Sequence, residues 1–579
     1  MPHKAEVAQR VFTEFQLENF KPFAGPECIS LKPLTLIYGP NSSGKSSINQ
    51  SLLLLKQTLE ERAGSPEEVI LPKGGFVDLG GYQEFIHGHN TKLRFAIKAV
   101  MSSPSSLGEV RVSAPAVSGE DGDFDTYGLR VAFEYDDEVN ASTVSSLQLF
   151  FDDFSFPALE FKPIDIRDET ITEARRDDNL IFESPDLGGL LLKLDDLSSQ
   201  STIWPRLFTE FSKGLPDRLQ ATRGTLERLR ARRNVYSEAN VAKINNDRDA
   251  ESQRQLEGEE RRLDNEIERL EAFLRHFDNY QFSSALRDLS DAETRGFLLS
   301  CQNFLPARAL GIRPTSWLPS RRGSSAVRRG PGDEADYGEF ALRTASRATL
   351  QVCRAFREVL KDIIYLGPLR QYPKREYVFV GSVGDYVGKT GEMVPHILFK
   401  RRDTLEQVNA RLKACGLGYQ LKVVSADRTS GLGNVFALRF IEQTTGVEVS
   451  DLDVGFGISQ VLPVITQSVL SHRKILCIEQ PESQIHPRLQ SELASLFADC
   501  IRPPFDNRFI IETHSEHILL RLQRQIREGT LSAEDVSIVY VLPQSQGAKC
   551  LPLRLDSHGD FIDEWPHGFF EEGYREIFG

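Results

Sequence analysis

The fold is decided by the stretch Gly39-Pro40-Asn41-Ser42-Ser43-Gly44-Lys45-Ser46. It fits the phosphate-binding loop pattern G-x-x-x-x-G-K-[ST] at every constrained position. The apolar run 34–38 before it is typical of a buried strand, and residues 47–55 after it have a helix-like pattern. This order surrounds one anion with backbone N–H groups and the N-terminus of a helix. The stretch therefore predicts a nucleotide phosphate site in an α/β fold.

Two side chains of this loop have separate predicted tasks. Lys45 is expected to reach the β- and γ-phosphates of ATP, and Ser46 is expected to hold Mg²⁺. The predicted nucleotide-binding set covers the whole loop and extends to Ser47. A second Gly-Lys-Thr, at 388–390, lacks the upstream glycine because Val383 occupies its position, so we interpret it as a turn.

Composition limits the classes of protein that the chain can belong to. Its 579 residues are 40% hydrophobic and 26% charged, which is typical of a globular protein with several domains. The net charge of −14 means that any nucleic-acid contact must use local basic patches. Seven scattered cysteines without a C-x-x-C pair indicate a reducing compartment. Without a signal peptide or an apolar run of about 18 residues, we expect a cytoplasmic protein with no membrane partner.

The middle of the chain has the pattern of a helical hairpin. A heptad seam is formed by Leu256, Leu263, Ile267, Leu270, Leu274 and Phe277. An earlier arm repeats leucines at 215, 219, 226 and 229, and a polar stretch at 245–249 separates the two. Ordinary surface helices packed on a core are the alternative.

Two clusters of arginine stand out against the acidic background. The first arm carries Arg218, Arg223, Arg228, Arg230, Arg232 and Arg233. A proline-rich segment carries Arg308, Arg313, Arg321, Arg322, Arg328 and Arg329. Such runs are usually solvated faces, but they can also form a footprint for a nucleic-acid backbone.

The last third of the chain adds a second group of motifs. Residues 474–479 form an apolar strand ending in Glu479, which is the form of a Walker B strand. Upstream lies Gly455-Phe456-Gly457-Ile458-Ser459-Gln460, and an apolar helix is predicted from Val461. Downstream, the strand at 509–512 leads into His514.

The order of these motifs resembles the ABC-type ATPase head of RecF, SMC and OLD-family proteins. The resemblance covers about residues 10–90 and 360–579 and leaves the middle unmatched. The tail at 559–570 is similar to a bacterial branch with many phage-defence members, including the Septu ATPase subunit. The resemblance implies an α/β, two-lobed P-loop NTPase head with an inserted helical hairpin. Its implied boundaries are an N-terminal ATPase lobe at 1–205, a hairpin at 206–300, an Arg/Pro-rich linker at 301–345 and a C-terminal lobe at 346–579.

In such heads two subunits enclose two ATP molecules. The resemblance implies that Gly457, Ser459 and Gln460 contact the γ-phosphate of ATP bound to the other subunit. His514 corresponds to the switch histidine that senses this phosphate. Gln83, in a predicted loop, corresponds to a glutamine that touches Mg²⁺, and Glu479 to an Mg²⁺ ligand.

The residue after Glu479 departs from the family pattern. Most ABC heads have a glutamate there that polarises the attacking water, whereas this chain has Gln480. Because an amide cannot accept the proton, we predict slow hydrolysis, with Glu482 as the substitute base. Arg370 follows another predicted strand and has two interpretations, as a contact to nucleotide or a partner and as a structural ion pair.

The expected function is an ATP-binding, slowly hydrolysing ATPase that forms homodimers or higher homo-oligomers. It would regulate a separate effector, such as a nuclease, in anti-phage defence. One alternative is a DNA-repair, SMC-like ATPase that binds nucleic acid. The other is a nuclease in its own right, for which the sequence has only weak candidates: Asp451-Leu452-Asp453 and the acids Asp556, Asp560, Asp563 and Glu564.

Overall fold

The computed structural model describes residues 11–61, 69–102, 126–151, 159–163, 191–197, 220, 223–235, 261–265, 267–268, 271, 298–302, 304–310, 335–379, 381–425 and 434–566. These residues fall into two compact units. One lies within Ser102–Arg130 and Val144–Ala355, and the other within Gln9–Met101, Val131–Thr143 and Phe356–Gly579. Outside the described residues lie six arginines of the two basic clusters, at 218, 313, 321, 322, 328 and 329, and the tail at 567–579.

The described residues include 19 strands. In chain order they are β1 (Val11–Glu18), β2 (Glu27–Ser30), β3 (Leu34–Tyr38), β4 (Phe95–Ser102), β5 (Thr126–Asp136), β6 (Ala141–Phe151), β7 (Leu159–Pro163), β8 (Leu191–Leu197), β9 (Leu298–Gln302), β10 (Leu305–Leu310), β11 (Ile363–Leu366), β12 (Tyr377–Val378), β13 (Tyr419–Ser425), β14 (Val435–Glu442), β15 (Glu448–Ser450), β16 (Ile475–Glu479), β17 (Arg508–Glu512), β18 (Val536–Leu542) and β19 (Lys549–Leu553).

The helices with complete bounds are concentrated in the last 250 residues. They are α1 (Lys45–Glu60), α2 (Tyr82–Phe85), α3 (Ala335–Lys361), α4 (Val394–Lys400), α5 (Arg402–Ala414), α6 (Phe456–Leu470), α7 (Pro487–Cys500) and α8 (Glu516–Arg527). Among the described residues, no helix is both long and apolar enough to cross a membrane.

A six-stranded sheet positions the site in the second unit. Its order is β11-β16-β17-β3-β18-β19, and every neighbouring pair is parallel except β18 with β19. All residues of β3 and β16 are buried, as expected for parallel strands covered on both faces. Val464 of α6, Leu493 of α7 and Leu522 of α8 pack in the same core as the apolar strand residues. The carboxyl ends of the parallel strands therefore meet at one edge, where ligands bind in such sheets.

Antiparallel pairs make up the smaller sheet and, in the remaining one, join β1 with β2 and each neighbouring pair from β6 to β10. In the first unit the order is β10-β9-β8-β7-β6, and in the second it is β5-β4-β1-β2, with β5 and β6 divided between the units. The antiparallel strands expected between residues 92 and 205 are present. A smaller sheet has the order β12-β14-β13, with β15 paired to β14.

The described parts of the predicted hairpin pack against each other. Residues 223–235 and 261–265 are helical, and Leu226 packs with Ile267 in a small buried cluster. Arg230 pairs with Glu271 at 2.6 Å and Arg233 with Asp264 at 2.7 Å. The two segments run antiparallel, because the later arginine pairs with the earlier acid. These pairs occupy two arginines of the predicted basic arm, and the projecting hairpin itself stays a prediction.

Candidate functional site

The phosphate-binding loop joins β3 to α1 as the sequence predicts. Gly39 (φ 146°) and Gly44 (φ 106°) adopt backbone conformations that favour glycine. A Cβ atom on Gly44 would lie 2.3 Å from Cγ of Pro22, so the loop has no room for a side chain there. The Lys45 ammonium lies over the loop and donates to the carbonyl oxygens of Gly39 at 3.0 Å and Pro40 at 2.8 Å. Burial lowers the pKa of Lys45, and the nearby Glu512 and Glu482 oppose that effect.

Two carboxylates lie side by side at the ends of adjacent strands. Glu479 of β16 and Glu512 of β17 are paired in the parallel register, and both are buried. Burial raises the pKa of Glu512, and the nearby Ser46 hydroxyl and Lys45 ammonium oppose that effect. Burial, and next the neighbouring Glu512, raise the pKa of Glu479 to about 7, while the Tyr365 hydroxyl donates to its Oε1 at 3.1 Å. A cation bound between these paired acids would therefore reduce the electrostatic repulsion between them.

The loop after β16 brings the next predicted residues close to these acids. Gln480 has a left-handed backbone (φ 45°), and its N–H donates to the Glu512 carbonyl at 2.8 Å. Glu482 Oε1 accepts from the backbone N–H of His514 at 2.7 Å, and burial raises the pKa of Glu482. Burial and then the nearby Lys45 lower the pKa of His514, so its imidazole is favoured in the neutral form. The structure thus brings the predicted Glu482 and His514 to the phosphate-loop lysine.

Several buried polar atoms at this edge have no hydrogen-bond partner within the described part of the chain. The donors are Arg370 Nε, Arg370 Nη1 and the Ser43 hydroxyl, and the acceptors are Glu482 Oε2 and Glu512 Oε2. Buried polar groups normally have partners, so such a set marks a place where a ligand belongs. The donors suit phosphate oxygens and the acceptors suit a divalent cation. The residues therefore fit Mg²⁺ and a nucleotide.

The carboxylate count is also consistent with magnesium. No group of three or more His, Cys, Asp or Glu residues suited to a metal occurs in the described ranges. Mg²⁺ in P-loop proteins needs only one or two carboxylates, because a loop hydroxyl, substrate phosphates and water complete its coordination. Ser46, Glu479 and Glu512 supply such a set.

The signature residues lie on α6. This helix begins at Phe456 rather than at the expected Val461, so Ser459 is inside its first turn. A Cβ atom on Gly457 would lie 3.4 Å from the Gln484 carbonyl oxygen, which shows how closely the signature approaches the loop after β16. Ser459 lines a small cavity with Asp451 and other residues. Gln460 is buried, and nothing in this single chain tests a contact with a second ATP.

Gln83 occupies a different local structure from the one predicted. Residues 82–85 form the short helix α2 instead of a loop, because the Glu84 carboxylate accepts from the Gly81 N–H at 2.7 Å and closes the first turn. Gln83 is exposed on this helix, and its assignment to Mg²⁺ stays a prediction.

Sequence reasoning missed Glu512 and Tyr365. The sequence signal for Glu512 is a carboxylate that ends an apolar strand two residues before His514. Tyr365 had no signal, because its contact with Glu479 depends on the pairing of β11 with β16. The predicted turn at 388–390 is present, with the Gly391 N–H donating to the Gly388 carbonyl at 3.2 Å.

The acids considered for a nuclease site make structural contacts. Asp451 accepts from the Tyr377 hydroxyl at 3.3 Å, and Asp453 accepts from the Ser450 hydroxyl at 2.5 Å. Asp556 accepts from backbone N–H groups of its own turn, and Asp563 pairs with Arg554 at 2.8 Å. These contacts give Asp453, Asp556 and Asp563 structural partners, and a nuclease site at these acids stays a prediction.

The phosphate loop, the paired strand-end acids and the parallel sheet define a P-loop ATPase. Residues 34–520 match the family described as "AAA domain, putative AbiEii toxin, Type IV TA system", and the chain belongs to this family. The predicted α/β P-loop NTPase fold and ATPase class are confirmed by this match and by the topology. The match does not identify the Septu branch.

Among solved structures, the fold is similar to SMC heads at low scores. The Smc head domain of Pyrococcus furiosus, with an extended coiled coil and bound to the C-terminal domain of ScpA, is 10% identical, with a TM-score of 0.33 and coverage of 94% of this chain and 97% of that chain. The SMC head domain from Thermotoga maritima is 8% identical, with a TM-score of 0.33 and coverage of 94% and 100%. At these scores the likeness carries no further argument. Comparison with curated proteins finds no match.

Proposed function

We propose that the protein is an ATP-dependent switch that binds Mg²⁺–ATP between two copies and hydrolyses it slowly. The observation that carries this proposal is the cluster of Lys45, Ser46, Glu479, Glu482 and Glu512 at one edge of the sheet, next to Gln480. Mg²⁺, when bound, supplies charge stabilisation for the transferred phosphoryl group. The chain itself supplies the loop N–H groups and the Lys45 ammonium that hold the phosphates.

Slow hydrolysis follows from the groups available to take a proton. Gln480 has an amide, whose oxygen lies 3.5 Å from the Ser483 hydroxyl, and it cannot act as a base. Glu482 is the substitute, because its Oε1 is fixed by the His514 N–H while its Oε2 has no partner among the described residues. Its raised pKa suits a general base, but one of its oxygens is already engaged.

The proposal of a composite site depends on α6. Ser459, in the first turn of this helix, would present its hydroxyl and the helix N-terminus to the γ-phosphate in a second copy. ATP would then act as a link between subunits, and slow hydrolysis would keep the dimer closed.

The proposed biological role is in defence against phage. The name of the family refers to the AbiEii toxin and to a type IV toxin–antitoxin system, which supports a role in abortive infection or anti-phage defence. The closed dimer would control a separate effector such as a nuclease. An SMC-like DNA-binding role is the second candidate, supported by the antiparallel packing at Leu226 and Ile267.

Light scattering with and without Mg²⁺–ATP tests the switch. The wild-type chain should double in mass with ATP, the Lys45→Ala variant should neither bind ATP nor dimerise, and Ser459→Arg should bind ATP as a monomer. Equal dimerisation by Ser459→Arg would refute the composite site. Adding DNA to the same experiment separates the two candidate roles, because only the SMC-like role requires a DNA-bound species.

A further inference from the structure

Arg370 lies at the same edge of the sheet as Glu479 and Glu482 but has no assigned task. It follows β11, and its Nη2 donates to the backbone carbonyl oxygen of Glu479 at 3.3 Å. This bond ties the loop after β11 to the end of the Walker B strand. Its other donors, Nε and Nη1, are buried and have no partner among the described residues.

The contacts of Arg370 do not match a structural ion pair. Within the described ranges no carboxylate lies at salt-bridge distance from its guanidinium, although Glu479 and Glu482 are near enough to favour its charged form. Burial lowers its pKa to about 10, so the group is still a cation at neutral pH. A buried cation with unused donors is costly unless an anion completes its contacts.

The fold limits which anion this can be. β16 is separated from the phosphate-loop strand β3 only by β17, so the two lie about 10 Å apart at about 4.8 Å per strand. Glu482 influences both Lys45 and Arg370, and therefore lies within electrostatic range of both. The β- and γ-phosphates are the part of a nucleotide that Lys45 holds, and the γ-phosphate extends farthest from the loop.

We infer that Arg370 binds the γ-phosphate of the ATP held in its own subunit and thereby lets the site distinguish ATP from ADP. The planar guanidinium presents Nε and one Nη nitrogen as a fork that suits two phosphate oxygens. Because Nη2 stays on the Glu479 carbonyl, occupation by ATP would be communicated to the end of β16. This inference rests on the proposed nucleotide site, and it adds the residue that reads the third phosphate.

Calorimetric titration with Mg²⁺–AMP-PNP and with Mg²⁺–ADP tests the inference. In Arg370→Gln the affinity for AMP-PNP should fall about 10- to 100-fold, the range for a charge-assisted hydrogen bond, whereas the affinity for ADP should change less than about threefold. The matched control is Arg375→Gln, since Arg375 lies on the same loop as Arg370, is 66% exposed and pairs with Asp453. Its affinities for both nucleotides should equal those of the wild type.

The ratio of the two affinities decides the result. An equal loss for both nucleotides would assign Arg370 a structural role and overturn the inference, and wild-type affinities for both would overturn it as well. If Arg370→Gln does not fold, Arg370→Lys keeps the charge without the fork and is judged by the same ratio. Lys45→Ala should lose both nucleotides, so failure of the site as a whole is distinguishable from failure of Arg370 alone.

Discussion

Replacing Gln480 by glutamate should speed up ATP hydrolysis if the proposed slow step reflects the missing base. The two side chains have the same shape, and the backbone at 480 is fixed by its N–H bond to the Glu512 carbonyl at 2.8 Å. The substitution therefore adds a base with little change in geometry. General-base catalysis contributes about 10²- to 10⁴-fold, or about 3–5 kcal/mol of the barrier.

The acidic residues around position 480 limit this gain in the hydrolysis rate. The new carboxylate joins Glu479 and Glu512, which are buried, and Glu482, which is half-buried, and the pKa values of all three are raised. A fourth acid will be partly protonated at neutral pH, so the expected gain is about 100-fold, the lower end of the range. Lower stability of the nucleotide-free variant is expected for the same reason.

Single-turnover hydrolysis, with enzyme in excess over labelled ATP and saturating Mg²⁺, measures the chemical step directly. The matched control is Gln484→Glu, because Gln484 is an exposed glutamine of the same loop with a similar left-handed backbone (φ 59°). It should leave the rate unchanged. A Gln480→Glu rate within threefold of the wild-type rate, with ATP binding intact, would refute the reasoning. A wild-type turnover of about 10 s⁻¹, which is typical of enzymes, would also refute it.

Three further outcomes follow from the same edge of the sheet and its surroundings. Glu482→Gln should lower the remaining hydrolysis at least about tenfold without weakening ATP binding, as measured by the same single-turnover assay and by titration. Glu512→Gln should raise the Mg²⁺ concentration needed for half-maximal ATP binding about tenfold or more, because it removes the acid that contacts Ser46. Burial raises the pKa of Asp451 from 3.8 to about 6, so its contribution to stability is present below pH 3.8 and is lost as the pH rises through 6. Asp451→Asn should therefore be more stable than wild type above pH 6, by up to about 3 kcal/mol in urea unfolding, and a difference that does not vary with pH would contradict this.

Local patterns predicted the parts of the site that are continuous in sequence. The strand and helix around Lys45 and the strand ending in Glu479 follow from runs of fewer than twenty residues, whereas the place of His514 in the site was implied only by the resemblance to ABC-type heads. The predicted start of α6 was wrong by five residues, because Gly455 and Gly457 have low helix propensity. In the structure the first turn of α6 packs against the backbone of Gln484, and this packing outweighs the low propensity.

Charge counts in the sequence do not show which arginines are paired in the structure. The arginines of the first hairpin arm look like a free basic face, yet Arg230 and Arg233 pair with Glu271 and Asp264 on the second arm. Exposed pairs of this kind contribute only about 0.2–1 kcal/mol each, so they fix the register more than the stability. A nucleic acid would have to compete for these two side chains, and no pattern within one arm could indicate that.

The order of strands explains why Glu512 could not be found from motifs. β17 lies between β3 and β16, so its last residue is one strand from the phosphate loop, whereas the Walker B acid is two strands away. Glu512 is therefore the acid that Ser46 contacts, and Glu479 turns its Oε1 to the Tyr365 hydroxyl. The sequence separates these two acids by a whole helix, α7, and only the parallel register brings them together. A second acid on the intervening strand also places negative charge near the substrate phosphates, which Lys45 and Arg370 on either side would offset.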